Sequence, residues 1–392
     1  MQPDASSYAV LLLGVSEYLH LPEGGGAPAE RSFRLKQLSS TARSAFGVYE
    51  WLLAHRDQLP LPLATIRLLL APSTVELEST PQMAGLGALP TRSTFAAAAI
   101  DWRRDARLHS DGMTLFYFAG HGVQRRKGDS VMLLHDFGDP TDGPLAKTVA
   151  FNNLYHGMAP PRSIAQNKMA KRQVYFVDAC RMAPTEFQPF EWMNISDIFQ
   201  VELGGVDDRV SPIFFSSLAG AKAYAIRGEQ TLFCRALLNC LDGSAAEVWT
   251  TDGQDERRAV TVHSLNTTLE KEIEALREEH GGDQDYHPIV GKNTLLCYVA
   301  ESPQPEQRLI EVQVEVRPEA VASFVHLRIQ DADDAVVLDR EPPLLENPLM
   351  YRLPEGFYQI LAQVGSGQPA ATNFEAWVRV REPGAVQVRV DL

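Results

Sequence analysis

Two apolar, β-type runs that each end in a chemistry-bearing residue constrain this chain more than any other feature. The first, residues 113–119, stops at Gly120-His121-Gly122, and the second, residues 173–177, stops at Asp178-Ala179-Cys180. Continuous apolar runs of this length read as strands buried on both faces, the environment of a parallel sheet covered by helices. Side chains just past the carboxyl ends of such strands sit where α/β folds place ligands and chemistry. Taken alone, Cys180 reads as a small core residue, as most free cysteines are, and a lone histidine reads as a satisfied core or surface side chain. The glycines bracketing His121 let the backbone turn sharply and leave room for another segment to pass close to the imidazole. The pairing lifts both residues above the bland reading. A thiol needs a nearby base to react at neutral pH, and Cys180 follows His121 by 59 residues at the end of a similar strand.

The surrounding chain alternates strand and helix. A first strand at residues 9–18 is followed by a Gly/Pro-rich loop at 23–29. A helix capped near 39–41 then places Ala42, Ala45, Phe46, Tyr49, Leu52 and Leu53 on one face. Residues 65–71 read as a second strand. Phe95, Ala98, Ala99, Trp102 and Ala106 define a second helix. After His121, the basic stretch 124–128 is expected to face solvent, 129–135 to form a short strand and 151–158 a short helix. Residues 182–210 read as irregular, 231–241 and 262–280 as helices, and 294–299 as a closing strand, with a linker at 301–307. From Arg308 onward the pattern changes to seven short alternating runs without a helix, the signature of a small β-sandwich. The expected fold class is therefore α/β, a mostly parallel sheet flanked by helices over residues 1–302, with an all-β sandwich domain over 303–392.

Composition removes several functions. A net charge of −14 argues against a nucleic-acid surface, which needs a basic stripe. No apolar run reaches the length of a membrane span, and Met1-Gln2-Pro3-Asp4 lacks the basic flank of a signal peptide, so a cytoplasmic protein is expected. Four cysteines, at 180, 234, 240 and 297, show no paired metal spacing and suit a reducing compartment. The acidic turn at 251–256 lacks the ligand pattern of a calcium loop. No metal and no cofactor are expected.

At the Gly-His-Gly and Asp-Ala-Cys motifs the chain resembles the caspase-like cysteine peptidases, the family of caspases, metacaspases, paracaspases and their bacterial relatives, whose histidine precedes a Q-A-C-type cysteine by a similar interval. The resemblance extends over about the first 300 residues, with 9–18 similar to the family's first strand and 211–220 similar to its substrate-lining strand. It implies Cys180 as nucleophile, His121 as general base and acid, and the backbone N–H groups of Gly122 and Cys180 as oxyanion donors. It also implies a P1 pocket formed by Asp178 and Ser216. Metacaspases carry an aspartate two residues before the cysteine and cut after basic residues, so cleavage after Arg, then Lys, is expected; a carboxylate would repel an acidic P1 side chain. Asp178 hydrogen-bonded within its own loop is the alternative. Arg181 matches the caspase arginine after the cysteine, while Met182 departs from the glycine that follows it. In caspases the connection corresponding to 182–210 is cut on activation, which makes Arg209 a candidate processing site; an uncut surface loop is the alternative. The implied partner is a protein substrate. Bacterial relatives resemble stress or anti-phage effectors acting on companions such as a pore-forming gasdermin. Two other readings stay open: a catalytically degenerate scaffold whose β-sandwich binds a partner, and a different cysteine-dependent α/β hydrolase, although no nucleophile elbow surrounds Cys180.

Overall fold

The computed structural model describes residues 6–126, 129–143, 145–161, 168–181, 195–201, 207–217, 228–251, 255–280 and 286–300, and beyond these 310–332, 334–344, 346–354, 356–365, 373–380 and 386–392. The chain divides into two compact units, Met1–Ala300 and Glu301–Leu392. In the first unit the elements run β1 (Tyr8–Val15), α1 (Thr41–Ala54), β2 (Leu63–Ala71), α2 (Thr74–Ser79), α3 (Arg92–Ala106) and β3 (Met113–Gly120). They continue with β4 (Gly122–Arg126), β5 (Asp129–Leu133), β6 (Thr148–Ala150), α4 (Phe151–Gly157), β7 (Arg172–Ala179), β8 (Ile213–Phe215) and α5 (Leu232–Asn239). The unit closes with β9 (Glu247–Thr251), β10 (Asp255–Thr261), α6 (Val262–His280), β11 (His287–Ile289) and β12 (Leu295–Tyr298).

One six-stranded sheet, in the order β11-β8-β7-β3-β1-β2, organises this unit. Every neighbouring pair from β8 to β2 is parallel, and only β11 runs antiparallel at one edge. Side-chain alternation along β1 sends Leu11 and Leu13 into one apolar layer with Phe95, Ala99 and Trp102 of α3, and Val10 and Leu12 into the other with α1, α5 and α6. Both layers are fully covered, which explains why β1, β3 and β7 are near-continuous apolar runs instead of alternating ones. Trp102 is wholly buried and satisfies its indole by donating to the Ala9 carbonyl at 3.1 Å. The expected α/β architecture is thus present.

Some elements differ from expectation for identifiable reasons. Residues 122–126 do not simply face solvent; they form β4, which pairs with β5, and Gln124 is buried. The β9–β10 hairpin surrounds the acidic turn, of which 252–254 lie outside the described residues. Helix α1 begins where expected, but the Ser40 side chain makes no capping bond. The donors are satisfied from elsewhere: Ser16 Oγ accepts from the N–H groups of Thr41 and Ala42, and Glu76 Oε1 accepts from that of Arg43 at 2.9 Å. Glu76, wholly buried in α2, also takes hydrogen bonds from Ser16 Oγ at 2.9 Å and from the Ser73 N–H and hydroxyl at 2.8 Å each. Its charge is held by donors and sits at the positive end of α1.

The second unit contains β13 (Ile310–Arg317), α7 (Glu319–Ala322), β14 (Val325–Asp331), β15 (Val336–Arg340), β16 (Leu349–Leu353), β17 (Gly356–Val364), β18 (Asn373–Val380) and β19 (Val386–Asp391). They form a three-stranded sheet, β16-β13-β19, and a four-stranded sheet, β15-β14-β17-β18. Inward residues such as Val314, Leu327, Ile329 and Ile360 share one core. The seven alternating runs correspond to these seven strands. The short helix α7 was not foreseen.

Glu76→Gln tests the buried cap. The amide nitrogen must face at least one existing donor, so the substitution is expected to lower unfolding free energy by about 2–4 kcal/mol, measured by urea denaturation at neutral pH.

Candidate functional site

The parallel register of β3 and β7 pairs Gly120 with Ala179. His121 and Cys180 therefore each lie one residue past a matched position on adjacent strands, whose backbones are about 4.8 Å apart. The register also explains Gly122. A Cβ there would stand 2.5 Å from the Cys180 carbonyl oxygen and 2.8 Å from the Ala179 Cβ, so the chain leaving His121 passes directly over the Cys180 peptide. Cys180 is partly exposed, whereas Cys234, Cys240 and Cys297 are buried. Burial drives the Cys234 and Cys297 thiols up to about 12, which leaves them as inert packing groups.

His121 is fixed in one tautomer. Its Nε2 lies 2.7 Å from the Lys36 carbonyl oxygen. A carbonyl can only accept, so Nε2 carries the proton and the neutral ring keeps its lone pair on Nδ1. Burial lowers the imidazole pKa below its ordinary value, against an opposing contribution from the Lys36 hydrogen bond. Burial thus favours the neutral ring, the form in which an imidazole can accept a proton. By contrast, His20 Nδ1 and His135 Nδ1 bond to the carbonyls of Ala27 and Glu17 at 2.6 and 2.7 Å and tie loops together. Sequence reasoning missed Lys36, because a backbone carbonyl leaves no signature in a side-chain pattern.

Asp178 is 1 % exposed and points towards α5. Its Oδ2 accepts from the Tyr117 hydroxyl at 3.1 Å and from the Thr231 hydroxyl, the N-cap of α5. Burial pushes its carboxyl up to about 6, while the hydroxyls of Thr231, Ser216 and Tyr117 oppose the rise. Ser216, placed beside β7 by its N–H bond to the Val177 carbonyl, is also wholly buried. Asp178 Oδ1 and Ser216 Oγ each lack a well-formed hydrogen bond, although the Ser216 hydroxyl lies close enough to act on the carboxyl. The rest of the 211–220 run, 218–220, lies outside the described residues.

Arg181 turns away into the sheet's edge, where its guanidinium lies 4.1 Å from the Phe215 ring centroid and its Nε donates to Ser130 Oγ at 3.2 Å. Arg209 is corrected more sharply. It is no exposed loop residue: its guanidinium donates to both carboxylate oxygens of Asp207 at 2.8 and 2.7 Å, to Gln173 Oε1 at 2.8 Å and to the Tyr155 carbonyl at 3.1 Å. A peptidase must draw a P1 side chain into its own pocket, and this buried cage opposes that at Arg209. Partners 36 and 54 residues away in sequence could not be read from the local pattern.

Among the described residues no group of three or more His, Cys, Asp or Glu side chains could hold a metal, and no helix is long and apolar enough to cross a membrane.

A probable protease from a Desulfuromonadales bacterium is 23% identical over 342 residues, covering 82% of this chain and 38% of the relative, so the chain spans well under half that protein's length. Among solved structures, a protein from Geobacter sulfurreducens aligns over 73% of this chain and 94% of its own at 10% identity, with a TM-score of 0.39. Caspase-1 from Spodoptera frugiperda aligns over 74% of this chain and 87% of its own at 13% identity, with a TM-score of 0.38. The family profile described as the caspase domain matches residues 84–290, more than half of the chain and inclusive of both motifs, and the chain belongs to that family.

Proposed function

We propose that this chain is a cysteine endopeptidase that cuts protein substrates after a basic P1 residue, Arg before Lys. The observation that carries the reading is the Gly120–Ala179 register, which sets His121 and Cys180 at neighbouring strand ends. In the proposed cycle His121 Nδ1 takes the Cys180 proton as the thiolate attacks the scissile carbonyl. The N–H groups of Gly122 and Cys180 stabilise the oxyanion, the imidazolium protonates the leaving amine, and water hydrolyses the thioester. Lys36 holds the tautomer that makes this direction of proton transfer available. Basic specificity is supported by the buried Asp178 carboxyl, whose Oδ1, like Ser216 Oγ, lacks a well-formed hydrogen bond. An Arg guanidinium supplies the donors and the charge they lack. The degenerate-scaffold alternative has no observation of its own in its favour, whereas the retained His121 and Cys180 at neighbouring strand ends support the peptidase reading. A defence role and a gasdermin-like companion rest on the family resemblance alone.

A fluorogenic peptide panel with Arg, Lys, Asp or Leu at P1 tests the reaction. Turnover is expected on Arg and, more weakly, on Lys, and Cys180→Ala is expected to reduce it by at least about 1,000-fold. Turnover on Asp would retain the dyad and refute the pocket.

Asp178→Asn separates a pocket role from a structural one. The wild-type carboxyl, raised to about 6 when folded from 3.8, favours folding most at low pH, and that contribution is lost as pH rises through about 6. Relative to the Asn variant, the wild type is expected to lose up to about 3 kcal/mol between roughly pH 4 and pH 7 in paired urea titrations, the equivalent of about two pKa units. Activity should move the other way: at pH 7.5 the Asn variant is expected to fold at least as well as wild type yet lose about 100-fold or more in kcat/KM on Arg peptides. An Asn variant that keeps its Arg preference would assign Asp178 to structure alone.

A further inference from the structure

Three observations around His121 are not used by the cysteine chemistry itself. The Tyr18 side chain is wholly buried beneath the imidazole, with ring centroids 4.9 Å apart and planes tilted by 39°. Its hydroxyl oxygen accepts the His121 backbone N–H at 2.7 Å. The sequence leaves space for that hydroxyl: a Cβ on Gly120 would stand 3.0 Å from it. Gln37, next to Lys36, closes on the same tyrosine from outside. Its Oε1 accepts the Tyr18 backbone N–H at 2.7 Å, and its Nε2 donates to the carbonyls of Tyr18 at 2.9 Å and Pro22 at 3.0 Å. One side-chain amide therefore meets both backbone groups of Tyr18 as a strand partner would.

We propose that Tyr18 and Gln37 are a coupled pair of positioning residues that hold His121 from two sides, Tyr18 through the backbone and ring and Gln37 through the Lys36 carbonyl it keeps in place. This rests on the His121–Cys180 reading above. The route is continuous. Tyr18 follows β1, whose register with β3 sets its distance from His121. Gln37 fastens residues 36–37 to that same point, and Lys36 reaches the far nitrogen of the ring. Downstream of Gln37 the Leu38 N–H donates to the Ser16 carbonyl at 2.9 Å, and Leu35 and Leu38 pack on the core, so Gln37 supplies the tie between this segment and Tyr18 itself. Phe33 and Arg34, immediately before it, adopt left-handed backbone conformations with φ of 52° and 59°, which non-glycine residues hold only when neighbouring contacts enforce them. Burial raises the Tyr18 phenol far above its ordinary range, the bond from His121 opposes this, and a charge on Cys180 would raise it further. Tyr18 therefore remains a neutral phenol throughout and takes no part in proton transfer.

Alkylation of Cys180 by iodoacetamide, followed against pH by mass spectrometry, reads the pair without any assumption about substrate. Cys180 is partly exposed and the other three thiols are buried. In wild type the rate should rise with a midpoint well below that of a free thiol, about 8.5, and His121→Ala should return it there. Tyr18→Phe, which keeps the ring and loses the acceptor, is expected to move the midpoint up towards the free-thiol value. On a cleaved peptide it should cut kcat by about 10- to 100-fold with KM little changed. Gln37→Ala, in a partly exposed loop, should act in the same direction, and the double variant should fall short of the summed effects, as members of one unit do. Tyr175→Phe is the control. It removes a buried phenol of the same sheet that bonds to Gln173 at 2.7 Å, and it should leave the pH curve unchanged. A Tyr18→Phe curve identical to wild type, or one displaced no more than that of Tyr175→Phe, overturns the positioning role, and additive effects overturn the coupling. If His121→Ala itself alkylates like wild type, the dyad fails first and the outcome is distinguishable. Should Tyr18→Phe fold poorly, Gln37→Ala alone decides through the same curve.

Discussion

The constraint on which everything else depends is the parallel hydrogen-bond ladder through β1, β3 and β7. Side chains alternate along a strand, so a slip of one residue would turn each apolar set to the opposite layer. Both layers are filled and covered, and the register is therefore fixed by burial along the full length of three strands. That same register decides which residues emerge together at the carboxyl edge: Tyr18 after β1, His121 after β3 and Cys180 after β7. The site inherits its geometry from the packing of residues that never approach it, such as Leu11, Phe116 and Tyr175. Rigid elements place such constellations more reliably than loops do.

Much of this was legible in the sequence, for a physical reason. Doubly buried strands must be apolar without interruption, so β1, β3 and β7 declare themselves, and the residues that break them stand out. The half-buried strands of the second unit alternate and are equally readable. What was not legible is whatever depends on atoms shared by all residues or on partners distant in the chain. The Lys36 carbonyl, the Glu76 cap on α1 and the Gln173–Arg209 contact belong to that class. Arg209 is the instructive case: in a stretch rich in Gly and Asp it has the composition of an exposed loop, and three-dimensional neighbours make it a buried anchor.

Asp178 is a buried carboxyl whose place in the fold costs stability. Two hydroxyls satisfy one of its oxygens, while the other, near the Ser216 hydroxyl, lacks a well-formed hydrogen bond at a depth where a buried charge is costly. A fold selected for stability alone would place an apolar residue or an amide there.

The two buried arginines that flank the long connection between β7 and β8 have a consequence of another kind. Arg181, stacked on Phe215, fastens the chain as it leaves the sheet, and Arg209, caged by Asp207, Gln173 and Tyr155, fastens it as it returns. Between them Ile195 and Phe199 are buried in the same core, and Asn153 bonds the Ile198 and Phe199 backbone, so the described part of the connection is anchored as well. Lengthening such a span costs only a logarithmic increment of closure entropy. Insertions and deletions between such anchors can accumulate over evolutionary time while the strand ends stay where they are, so divergence beside Cys180 need not disturb the sheet.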